Sequence, residues 1–138
     1  MSKKAKALVV EADMPAATLM THVLKRAGCD VQATQDGQQG MEWAQETKFD
    51  LILLGVDLPG ISGLEICREL KQRHICRHTP IILVAGDACA ATRQHGLEIG
   101  AADCIIKPLG ASEFIIRIKS HVKPKLDFDP VAAIERVA

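Results

Sequence analysis

Asp50-Leu51-Ile52-Leu53-Leu54-Gly55-Val56-Asp57-Leu58-Pro59-Gly60 is the stretch on which the fold turns. Leu51–Leu54 is too short for a helix and apolar at every position. A strand of that kind is covered on both faces, as strands inside a parallel sheet are. The run breaks at Gly55 and passes through an acidic residue, Asp57, into the turn signal Pro59-Gly60.

Four further runs share this character: Ala7–Val10, Val31–Thr34, Ile81–Val84 and Cys104–Ile106. Helical patterns separate them. Ala16, Leu19, Met20, Val23, Leu24 and Ala27 recur at three and four. Asp13 is placed to cap that helix, Pro15 sits in its first turn, and Gly28 stops it. Leu64, Cys67, Leu70 and His74 form a second stripe, with His74 expected to end its helix. Phe114, Ile115, Ile118 and Val122 form a third. Weaker patterns cover Gln38–Thr47 and Ala90–Ile99. Five β–α units joined by right-handed crossovers give an α/β fold, a doubly wound parallel sheet with helices on both faces. Such sheets bind ligands beyond the carboxyl ends of the strands, which in this chain are Val10–Asp13 and Leu54–Asp57.

Composition narrows the function. The 138 residues suit one domain, assigned to residues 1–123, with a tail at 124–138. That tail reads either as a linker to an output domain fused beyond Ala138 or as a short helix started by Asp129-Pro130. Hydrophobic residues are 48% but aromatics only 3%, so Leu, Ile, Val and Ala must build the core. The 17 basic and 17 acidic residues balance, which argues against direct nucleic-acid binding through bulk charge. No apolar run approaches the roughly 20 residues of a membrane span. The basic N-terminus leads into too short an apolar run for a signal peptide. Cys29, Cys67, Cys76, Cys89 and Cys104 are an odd set without paired spacing, read as reduced thiols of a cytoplasmic protein.

Five features in order resemble the receiver domains of bacterial response regulators. They are Leu8-Val9-Val10 running into Glu11, Asp50–Leu54, Leu58-Pro59-Gly60-Ile61-Ser62-Gly63, Pro80–Val84, and Gly100-Ala101-Ala102-Asp103 with Lys107-Pro108 following. The resemblance spans about residues 5–122. It implies the flavodoxin-like (CheY-like) version of the fold, a five-stranded sheet of order 2-1-3-4-5, and a place in two-component (phosphorelay) signalling.

In that family a carboxylate cluster holds Mg²⁺ and an aspartate ending the third strand takes the phosphoryl group, while a lysine neutralises developing charge. A hydroxyl residue then senses the phosphoryl group and an aromatic swings inward. Carried over residue by residue, most of these groups are missing. The acceptor position is Gly55, a metal-ligand position is Ala12 beside Glu11, the hydroxyl position is Ala85 and the aromatic position is Cys104. Lys107 remains, and the family often makes the peptide bond to its following proline cis. The resemblance thus implies a degenerate pseudo-receiver with no phosphoacceptor and no cofactor. It would act through a protein partner or a second copy of itself.

Asp57 is the substitute acceptor in the alternative reading, an active response regulator using Mg²⁺ held by Glu11, Asp13 and Asp57. Without phosphate, Lys107 is expected to pair with Glu11 or Asp57. A third reading makes the vacated pocket a small-molecule sensor. His74, Cys76 and His78, with Cys67 upstream, have metal-ligand spacing, but helix-end and loop roles explain them more simply. No nucleophile elbow or Gly-x-Gly-x-x-Gly loop is present, and the acidic Glu11-Ala12-Asp13 loop disfavours a flavin phosphate. Ile116 lies off the stripe of its helix. With Arg93, Glu98 and Arg117 it defines the expected contact surface, the fourth helix–fifth strand–fifth helix face on which receivers dimerise.

Overall fold

The computed structural model describes residues 4–86 and 90–122; the expected tail at 124–138 and Cys89 lie outside them. Five strands and five helices alternate: β1 Lys6–Val10, α1 Met14–Arg26, β2 Asp30–Thr34, α2 Gly37–Glu46, β3 Leu51–Gly55, α3 Gly63–Lys71, β4 Ile81–Ala85, α4 Ala90–Glu98, β5 Asp103–Ile106 and α5 Ala111–His121. All pairings are parallel and the strand order is β2-β1-β3-β4-β5.

Strand alternation divides the aliphatic runs between two apolar layers. Ala7, Val9, Leu51, Leu53, Ile82 and Val84 meet Met20, Val23 and Leu24 of α1 and Phe114, Ile115 and Ile118 of α5. Leu8, Val10, Ile52, Leu54, Ile81 and Leu83 meet Ala44 of α2 and Ile66, Cys67 and Leu70 of α3. A buried aliphatic side chain contributes about 1.5–3 kcal/mol. These layers therefore fix the strand register that positions the cleft described below.

Three local expectations need correction. β2 is not covered on both faces: it is a sheet edge, with Asp30, Gln32 and Ala33 exposed. α3 ends at Lys71, and His74 instead opens a short 3-10 helix, His74–Cys76, with its ring exposed. Lys71 explains this stop. Its ammonium donates to the carbonyls of Cys76, Arg77 and Thr79 at 3.4, 3.3 and 2.8 Å, drawing the following loop back under the helix end. Finally, Asp13 stands at the N-cap of α1 but makes no side-chain capping bond. Gly28 does close α1, at φ 92°, with the Cys29 N–H returning to the Leu24 carbonyl.

Cys29, Cys67, Cys76 and Cys104 are free and buried. Burial pushes the thiols of Cys29 and Cys67 up to about 11, so they are unreactive near neutral pH. Cys76 is buried while His74 and His78 are exposed, and among the described residues no group of three or more metal-ligating side chains converges. None of the described helices is long and apolar enough to cross a membrane.

Candidate functional site: the cleft beyond the strand ends

The β1–β3 register pairs Val10 with Leu54, so the next residues, Glu11 and Gly55, come together at the carboxyl edge of the sheet. Glu11 is wholly buried. Its carboxylate lies where a side chain on residue 55 would begin: a Cβ built on Gly55 would stand 2.8 Å from Oε2 and 3.0 Å from both Cδ and Oε1. A side chain at 55 would therefore require the Glu11 carboxylate to shift.

Two contacts hold that carboxylate. Oε2 accepts the Asp13 backbone N–H at 3.1 Å. The Lys107 ammonium lies 3.1 Å from Oε1, and reaches Asp13 Oδ2 at 3.4 Å. Lys107 is placed by its own N–H, which donates to the Ala85 carbonyl at 2.9 Å, and it precedes a cis bond to Pro108. Partial burial works against its charge, but the carboxylates of Glu11 and then Asp13 outweigh that and push its pKa above the ordinary lysine value.

The other positions singled out in the sequence differ in burial and contacts. Ala12 is half-buried, and its carbonyl accepts from the Gln35 amide at 3.2 Å. Ala85 and Cys104 are buried, and burial raises the Cys104 thiol. Asp57 is exposed in the loop after β3, on the side of β4, with Oδ2 3.1 Å from where a Cβ on Gly86 would stand. The lysine therefore pairs with Glu11 and Asp13, and among the described residues no ion pair joins it to Asp57.

On the α4–β5–α5 side, Ile116 is 67% exposed, and Arg93 and Glu98 are also exposed. Arg93 lies 4.0 Å from Asp103 Oδ1, and Glu98 accepts from the Gln94 amide at 3.2 Å. Arg117 is not a free surface charge either. It turns inward onto buried Asp103, Nη1 to Oδ1 at 2.7 Å, and also reaches Glu113 at 3.3 Å. Burial opposes the Asp103 charge, but the Cys104 N–H, His121 and Arg117 together hold its pKa below the usual carboxylate range. Sequence reading missed this cluster, although Asp103 beginning an apolar strand was its signal. It also missed why Gly63 matters: a Cβ there would collide with the Gly55 carbonyl, so α3 starts in direct backbone contact with the end of β3.

A doubly wound sheet of this order, with acidic loops and a lysine meeting beyond its strand ends, defines a CheY-like fold. Residues 7–119 match the response regulator receiver domain family, and the chain belongs to that family. It is similar to the chemotaxis response regulator CheY4 of Vibrio cholerae, at 24% identity and TM-score 0.82 over 87% of this chain and 100% of that one. It is similar to the BeF3-activated N-terminal receiver domain of Klebsiella pneumoniae RstA, at 30% identity and TM-score 0.76 over 84% and 97%. A third similar structure is the receiver domain of a Pseudomonas aeruginosa sensor histidine kinase with magnesium coordinated in its active site cleft. Identity there is 26% and TM-score 0.78, over 86% and 98% of the two chains.

Proposed function

We propose that this two-component receiver domain works without phosphorylation, as a protein-protein interaction or dimerisation module. The observation that carries the reading is the Glu11 carboxylate in the space beside Gly55, ion-paired to Lys107. An acyl phosphate needs a carboxylate on residue 55 and open space in front of it, and here there is neither. The lysine that would answer a phosphoryl charge already has two carboxylate partners.

The same geometry argues against resident Mg²⁺, as in the Pseudomonas relative. Gly55 and Ala12 offer no side-chain oxygen, and Lys107 already compensates Glu11 and Asp13. An octahedral ion needs several oxygen ligands free to approach it. Ala85 supplies no hydroxyl, and Cys104 is small and already buried, so these two positions hold neither a hydroxyl sensor nor an aromatic to swing inward. Switching, where it occurs, then comes from a partner that binds one conformation better. Exposed Ile116 with Arg93 and Glu98 supports a contact on the α4–β5–α5 face.

Incubation with acetyl phosphate and Mg²⁺, read by intact mass, tests this reading. The expected result is an unchanged mass. A stoichiometric gain of about 80 Da that disappears in Asp57→Asn would instead establish the phospho-switch with a displaced acceptor.

A further inference from the structure

At the other end of the sheet, below the amino ends of β3 and β4, lies a cleft of about 350 Å³ that the receiver reading does not use. Its lining includes three cations, Lys48, Lys71 and Arg77, as well as His78, against one carboxylate, Asp50. The cations differ in what they already do. Lys71 is fixed by the carbonyls of Cys76, Arg77 and Thr79, which sets the loop on which Arg77 and His78 ride. Lys48 and Arg77 are exposed and form no side-chain hydrogen bond or ion pair among the described residues. Asp50 is already engaged, accepting the Lys6 N–H at 2.9 Å. At its floor the Thr79 hydroxyl donates to the Phe49 carbonyl at 3.3 Å, and both residues are buried.

Part of the positive charge offsets the carboxyl ends of α2 and α3, which point to this end. Lys71 accounts for that at α3. Lys48, just beyond the end of α2, and Arg77 both line this cavity, whose size falls within the range of small-ligand sites. A compact dianion bridging them would gain charge-assisted bonds from both, with the Arg77 fork suited to phosphate oxygens.

We propose that this basal cleft binds a small phosphorylated anion bearing a pyrophosphate-type group, held by Lys48 and Arg77 with His78 beside them. Such a site would give a domain without a phosphoacceptor a chemical input at the end remote from Glu11 and Lys107.

Isothermal titration of the full chain with inorganic pyrophosphate at low salt, repeated with ADP, tests it. Saturable 1:1 binding is expected, weakened at least tenfold in Lys48→Ala/Arg77→Ala. Both substituted basal residues are exposed, and an unchanged circular dichroism spectrum checks that the double variant folds. Tighter binding of ADP identifies a nucleotide as the ligand class, and equal binding a free oligophosphate. Absence of saturable heat to 10-fold millimolar excess overturns the proposal. So does binding that survives the double variant, which would move the anion away from the basal cleft.

Discussion

Gly55→Ala should change sign with its neighbour. In an open strand interior the added methyl stabilises by about 0.5–1 kcal/mol, because glycine loses more backbone freedom on folding. Here the new Cβ would stand 2.8–3.0 Å from the Glu11 carboxylate, closer than packing allows. That carboxylate cannot simply retreat. It is fully buried, bonded to the Asp13 N–H and paired with Lys107. Overpacking a dense core typically costs about 1–3 kcal/mol. Set against the backbone gain, Gly55→Ala should destabilise by about 1–2 kcal/mol, or roughly 3–8 °C in Tm for a domain of this size. In a Glu11→Ala background the obstruction is gone, and the same substitution should stabilise by about 0.5–1 kcal/mol. Urea denaturation of the four proteins gives both values and the coupling between them. Gly55→Ala having the same sign in both backgrounds would show that the slot is not filled as described, and the case against an acceptor at 55 would lose its geometric basis.

Lys107→Met should cost more than Glu11→Gln, about 3–5 kcal/mol, because it strands a buried carboxylate; the neutral amide leaves only a partly exposed lysine that keeps Asp13. Chemical denaturation of both variants checks the order, and equal losses would contradict it. The raised Lys107 pKa contributes stability that is fully present below the unfolded value near 10.4 and is lost as pH rises through the higher folded value. An alkaline melt should show this loss in the parent and not in Lys107→Met. The depressed Asp103 carboxyl works in the opposite direction: its contribution is present above the unfolded value near 3.9 and disappears as pH falls through the lower folded one. Arg117→Ala should therefore move acid unfolding to higher pH, and an unmoved acid midpoint would mean that the pair adds nothing.

Much of the fold was legible because β3, β4 and all of β1 after Lys6 are buried and advertise it as aliphatic runs. β2 passed the same test for a different reason. Its alanine and valine read as buried, yet edge position is decided by the order in which strands pair, which a local pattern does not carry. The end of α3 was misplaced because His74 keeps the helical spacing, while the stop depends on Lys71 reaching carbonyls five to eight residues ahead. At the cleft, Gly55 and Ala85 could be placed at the ends of their strands from sequence alone. What fills the space beside Gly55 could not. Glu11 lies beside Gly55 only through the β1–β3 register, and Asp13 turns from its capping role to Lys107 only because β5 delivers that ammonium. Arg117 read as a surface charge because its partner, Asp103, lies on a different element.

The Glu11–Lys107 pair joins the first strand to the loop after the last, across the two strands that separate them in the sheet. On a ribosome the acidic partner emerges long before the basic one, since chains are made from the amino end. Until β5 arrives, a growing chain that docks β1 against β3 must bury a carboxylate without its counter-ion, or leave that corner wet. Completion of this domain is therefore tied to delivery of its final β–α unit, and stalled chains ending before Lys107 should remain open at the strand ends.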